Sequence, residues 1–145
     1  MPRRIAKLFL RVENMLVFSR KREPSAPQKD GRLELIGGAI ETGENPFEGL
    51  LRELEEEETS GLLRRRAGQI RPVPRTFTVN GEPHYLYSIA ITADEYQTLR
   101  HSPSESYGFE RLPKSFPARA LSRPELLSRF TPKTRAILAL AGPDE

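Results

Sequence analysis

The chain has 145 residues, carries a net charge of +3 and has a pI of about 9.4. That length fits one domain spanning residues 1–145, in which folding buries roughly 68–70% of the chain's surface. The charge is too small to argue for nucleic acid, and the lack of cysteine excludes disulfides, thiolate metal sites and cysteine nucleophiles.

Met1-Pro-Arg-Arg4 leads into a short alternating segment, with no signal peptide and no apolar run of about 20 residues, so a cytoplasmic protein is expected. Ile5 to Val12 and Met15 to Ser19 read as a hairpin turning at Glu13-Asn14. Arg20 to Arg32, with its charges, prolines and glycine, reads as a surface loop. Leu33 to Ile36 is a short strand, ended by Gly37-Gly38. Gln69 to Val79 and His84 to Ile91 alternate as strands, and Asn80-Gly81 is a hairpin signal. Thr92 and Glu95 form a capping-box pattern, and Ser122 and Glu125 repeat it. Thr131-Pro132 opens a last helix through Ala141, stopped by Gly142-Pro143. This irregular mixture predicts an α+β fold, a mixed sheet flanked by helices.

The most informative stretch runs from Gly38 to Gly61. Asn45 is a suitable N-cap, Pro46 suits the first helical position and Glu48 completes a capping box, so a helix should run from Pro46 to Glu57 or Glu58. Phe47, Leu50, Leu51 and Leu54 then share one stripe that packs on the sheet. Glu53 and Glu57 lie one turn apart on an adjacent face, with Glu56 beside them, and Glu44 reaches the same region from the preceding loop. Like charges at this density repel unless cations offset them. Mg²⁺ suits such a set, because it takes oxygen ligands, keeps several waters and binds through a few carboxylates plus substrate phosphates. A solvated acidic helix face would account for Glu55 to Glu58 taken alone. It does not account for the glycine pair, Glu44 and Arg52 at fixed offsets.

Gly38, Glu44, Arg52, Glu53, Leu54, Glu56 and Glu57 resemble the signature of the Nudix hydrolase family. That pattern is Gly, five residues, Glu, seven residues, Arg-Glu-apolar, one residue, Glu-Glu, one residue, Gly, apolar. Two positions depart from it: Thr59 and Ser60 stand where glycine and an apolar residue belong, and Gly61-Leu62 supplies that pair two residues late. A two-residue extension after the helix is expected, with the helix ending or distorting at Glu58. Ile36 also stands where the family often has proline.

The resemblance implies a Nudix fold, an α/β/α sandwich, and a hydrolase that cleaves the diphosphate linkage of a nucleoside diphosphate joined to another moiety. Nucleotide sugars, dinucleotides and nucleoside triphosphates remain open as substrates. It implies Mg²⁺, with Mn²⁺ as an alternative, held by Glu53, Glu56, Glu57 and the Gly38 carbonyl. Arg52 would orient a glutamate, and Glu44 would be structural. The general base is either Glu53 or a glutamate after the second hairpin, where Ser104 to Leu112 resembles the family's loop and Glu105 is the matching residue. The resemblance also implies a homodimer. The isomerase branch of the same superfold relies on cysteine, so its chemistry is not available here.

His84 and His101 read as packed or surface residues rather than catalysts. Ser19 to Arg22 could meet phosphate but read more simply as a solvated loop, and Arg64 to Arg66 as surface. Phe77, Tyr85 and Tyr87 fit sheet packing at least as well as stacking on a base. Two readings compete with the hydrolase: a non-catalytic nucleotide-sensing module, which would not need Glu53, Glu56 and Glu57 together, and RNA-end processing, supported only by the basic loops.

Overall fold

The computed structural model describes residues 2–141. β1 (Ile5–Val12) and β2 (Met15–Lys21) form the expected hairpin, with Glu13 at φ 54° in the turn. β3 (Leu33–Glu34) and β4 (Ile36–Ala39) follow the first loop. α1 (Pro46–Glu57) and α2 (Leu62–Arg65) come next, then a 3-10 turn at Ala67–Gln69. β5 (Arg71–Val79) and β6 (Glu82–Ile91) form the second hairpin around Asn80-Gly81, both at positive φ. α3 (Ala93–Thr98), β7 (Ser106–Pro113), α4 (Phe116–Leu121), α5 (Pro124–Leu127) and α6 (Pro132–Ala141) complete the order.

One mixed sheet runs β3-β2-β1-β6-β5, with β4 paired to β1 and β7 to β2. β1 is central: it runs parallel to β6 and antiparallel to β2 and β4. Pro72 and Pro74 are tolerated on β5 because it lies at the end of this order, and the ladder to β6 slips between Pro72 and Thr76.

The sheet is covered on both sides, as the α/β/α expectation requires. Ala6, Leu8 and Leu10 pack with Leu50 and Leu54 of α1 on one side, and Phe9, Leu16 and Phe18 with Phe116, Phe130 and Ile137 on the other. Burying a leucine fully contributes about 1.5–3 kcal/mol, so Leu50 and Leu54 clamp α1 to the sheet. The helix starts where expected: Asn45 Oδ1 accepts from the Glu48 amide and Glu48 Oε1 from the Asn45 amide, both at 2.9 Å.

Several expectations need correction. The glycine pair does not end a strand; Gly37 and Gly38 sit inside β4, paired with Lys7 and Ala6. Most of Ser104 to Leu112 is not loop but strand β7. Ser122 does not cap α5; its hydroxyl bonds back to the Arg119 carbonyl at 3.0 Å, at the end of α4. Gly142-Pro143 lies outside the described residues. Among the described residues, no helix is long and apolar enough to cross a membrane.

Candidate active site at the end of the sheet

A cavity of about 610 Å³ opens beside Gly37 and Gly38, and Lys7, Glu53, Glu57 and Glu105 all line it. Four separate elements therefore meet there: β1, β4, α1 and the turn before β7.

Gly37 is glycine for steric reasons. At φ +131° a Cβ would lie 2.1 Å from the Ala6 carbonyl oxygen. At Gly38 a Cβ would lie 2.7 Å from the Glu53 carboxylate, so the missing side chain is the space Glu53 occupies. The Gly37 amide donates to Glu57 Oε2 at 2.8 Å. Lys7 Nζ donates to the Leu35 and Gly37 carbonyls, each at 3.1 Å, which fixes an 8%-exposed ammonium beneath the bend.

The carboxylates are electrostatically distinct. Burial of Glu57 pushes its pKa up to about 8, against the pull of Lys7 and the Gly37 amide. Burial also raises Glu53, with the Glu56 charge adding to it and Arg52 opposing. Glu44 is held below the usual carboxylate range, first by its hydrogen bonds from Arg52.

Arg52 is the organising cation. Its Nε donates to Glu44 Oε2 at 2.9 Å, its Nη2 to the Ala39 carbonyl at 2.7 Å, and its Nη1 to Glu53 at 3.2 Å and Glu56 at 3.1 Å. A planar fork with several donors can hold all of these at once; an ammonium cannot. These partners raise the Arg52 pKa further, the Glu44 bonds most of all.

The sequence-derived site residues are therefore only partly gathered. Gly38, Glu53, Glu57 and Glu105 share the cavity, while Arg52 and Glu56 do not line it. Among the described residues, no three His, Asp or Glu side chains form a ready cage for a metal ion. Glu56 is turned to Arg52, and Glu57 to the Gly37 amide. The donor set still fits a hard divalent ion, since Mg²⁺ needs only one or two protein carboxylates beside water and phosphate oxygens.

Glu58 has a different task from its neighbours. It is 2% exposed, has left the helix at φ −125°, and accepts from the Arg100 amide at 2.8 Å and from the Ser60 amide and hydroxyl at 3.0 and 2.8 Å. Backbone bonds from Thr59 to Arg100 and from Ser102 to Glu57 complete the tie. Glu57, Glu58 and Thr59 thus join the end of α1 to the segment leading into Glu105, and Ser60 holds the Glu58 carboxylate in place.

Lys7, Lys21, Arg22, Lys29 and Lys133 also reach the cavity. Lys7 has a signal, a cation flanked by apolar residues in a strand whose other charge is Arg11. Against the expectation of a solvated loop, Lys21 ends β2 and Arg22 follows it, and both line the cavity. His84 is fully buried, and His101 packs edge-on to Phe109. Phe77 and Tyr87 are buried, and Tyr87 stacks obliquely on Phe47.

The family model for the NUDIX domain matches residues 1–138. The chain belongs to the Nudix family. Nudix hydrolases as a group act on phosphate anhydrides. Similar solved structures agree on the fold. The structure of DR0079 from Deinococcus radiodurans is 24% identical with a TM-score of 0.62, over 83% of this chain and 74% of that one. A bifunctional NMN adenylyltransferase/ADP ribose pyrophosphatase from Francisella tularensis, complexed with AMP and a manganese ion, is 12% identical with a TM-score of 0.67; 97% of this chain covers 41% of that one. MutT from Aliivibrio salmonicida and Vibrio cholerae is 14% identical with a TM-score of 0.55, over 89% and 97%. No curated protein is significantly similar in sequence.

Proposed function

We propose that this Nudix protein hydrolyses the diphosphate linkage of a nucleoside diphosphate joined to another group, with Mg²⁺ or Mn²⁺ as the required ion. The observation that carries this reading is the convergence of Glu53 and Glu57 on one cavity with the Gly37-Gly38 backbone and a set of cations. Glu53 and Glu57 would hold the ion, with Glu56 and the Gly38 carbonyl as further oxygen donors once Glu56 leaves Arg52. The bound ion would offset the diphosphate charge and lower the pKa of the attacking water.

The protein's own groups do the rest. Arg52 fixes the rotamers of Glu53 and Glu56 from outside the cavity. Lys7 offsets negative charge beneath Glu57. Glu53 or Glu105, both of which line the cavity, would accept the water's proton. Glu105 is left for that task if Glu53 is fully engaged as a ligand. The manganese and AMP bound by the Francisella relative support the reading.

The test is a screen of nucleotide-diphosphate compounds with Mg²⁺ or Mn²⁺, reading released monophosphate or phosphate. Metal-dependent release abolished by Glu53→Gln is the expected result. No turnover of any compound with either ion would overturn the proposal. The pH–rate profile of Glu105→Gln then separates the two bases: it loses the acidic limb if Glu105 is the base and keeps it if Glu53 is.

A further inference from the structure

Six cations line the cleft beside five glutamates, and they differ in how they are paired. Lys21, Arg22 and Lys29 come from β2 and the loop after it, Arg3 from the segment before β1 and Lys133 from α6. Arg3 and Lys133 already share Glu82, at 3.0 and 2.7 Å, and Lys21 stands 3.5 Å from both Glu23 and Glu34. Arg22 and Lys29 are different. Among the described residues Lys29 makes no side-chain ion pair, and Arg22 is held in place by uncharged partners. Its Nη1 donates to the Pro103 carbonyl at 2.8 Å and its guanidinium lies 5.7 Å from the centre of the Tyr107 ring. Arg22 is thus a preoriented cation that, among the described residues, has no carboxylate within ion-pair distance.

The same cavity offers little to a nucleobase. Among the described residues, no aromatic side chain lines it, and 1 and 142–145 contain none in sequence. Stacking on an aromatic face is the main way a protein holds a base without reading its edges. Tyr107, which does not line the cavity, has Arg22 over its ring and its hydroxyl bonded to Asp30 at 2.9 Å. The hydroxyls of Thr131 and Thr134 are bonded to each other at 3.0 Å.

We propose that the cleft selects substrates by their number of phosphoryl groups rather than by their base, with Arg22 and Lys29 binding phosphates beyond the scissile linkage. This rests on the hydrolase reading above and narrows its substrate class to phosphate-rich anhydrides. Each added phosphate brings charge that these two cations can meet, and the effect weakens with salt.

The experiment measures kcat/KM with Mg²⁺ for ADP, ATP and adenosine tetraphosphate, and for GTP, CTP and UTP. These are compared in the wild type and in the Arg22→Gln/Lys29→Gln double variant, whose folding is checked by thermal melting. Inorganic tripolyphosphate binding with Mg²⁺ is followed in parallel by calorimetry. The expected result is a rise of about tenfold or more from ADP to the tetraphosphate, a spread under about threefold among bases, and loss of the length dependence in the double variant. A tenfold base preference, or length dependence that survives the double substitution, overturns the inference and leaves the hydrolase reading intact. If no compound is hydrolysed, the hydrolase reading fails, and calorimetry decides the inference alone. Tripolyphosphate affinity falling about tenfold in the double variant upholds it; equal affinity, or none in the wild type, overturns it.

Discussion

Glu57 and Gly37 are joined by a 2.8 Å hydrogen bond, carboxylate oxygen to backbone amide, that ties the last turn of α1 to the bend in β4. The bond gives a buried acid that lines the cleft one fixed partner. Glu57→Gln keeps an acceptor for that amide and removes the charge. Turnover should fall by about 100-fold or more, while the melting temperature holds or rises because burial disfavours the charged form. Undiminished hydrolysis in the variant would remove Glu57 from the site.

The same residue sets a pH dependence. Its folded pKa of about 8 lies above its unfolded value of 4.5. Between these values the unfolded chain gives up a proton that the folded chain keeps, so metal-free stability should fall as pH rises, by at most ~1.4 kcal/mol per unit. Mg²⁺ requires the anion, so its stabilising effect should grow over the same window. Burial lowers the His84 pKa, so its share of stability is lost as pH drops below the ordinary histidine value of 6.5. Urea unfolding from pH 5.5 to 8.5, with chelator and with Mg²⁺, measures both limbs; a metal effect independent of pH would contradict the assignment.

The two glycines should fail differently. Alanine at Gly37 collides with backbone, 2.1 Å from the Ala6 oxygen, and should destabilise the protein by more than ~3 kcal/mol. Alanine at Gly38 meets only the end of the Glu53 side chain, which can swing away. That variant should fold with nearly unchanged stability and lose activity. Equal stabilities for the two variants would show the bend to be softer than its geometry implies.

Glu58 predicts stability rather than rate. Glu58→Ala leaves the part-buried Arg100 and Ser60 amides without their carboxylate partner and should cost about 1–2 kcal/mol in urea unfolding. Glu58→Gln, which keeps one acceptor oxygen, should cost markedly less. Wild-type stability in Glu58→Ala would mean that water replaces the carboxylate.

Local signals were read well from sequence where one residue type settles one backbone geometry. Asn45, Pro46 and Glu48 fixed the start of α1, and Asn80-Gly81 the second hairpin. β7 was missed because Gly108 and Pro113 interrupt its pattern, and its pairing with β2 is a long-range contact that no local window contains. Ser122 carried a capping pattern but was already spent closing α4. In the site, helical spacing placed Glu53 and Glu57 together correctly. It could not show that Arg52 also reaches Glu44 and the Ala39 carbonyl, nor that Lys21 and Arg22 line the cavity.

Glu58 and the backbone bonds around it brace the helix end against the strand lead-in that carries Glu105. The helix end and that lead-in are therefore tied directly to each other, as the two jaws of a caliper are by its lock. Adapting such a frame to a wider or narrower anhydride calls for a change in that brace, not in the acids it holds apart.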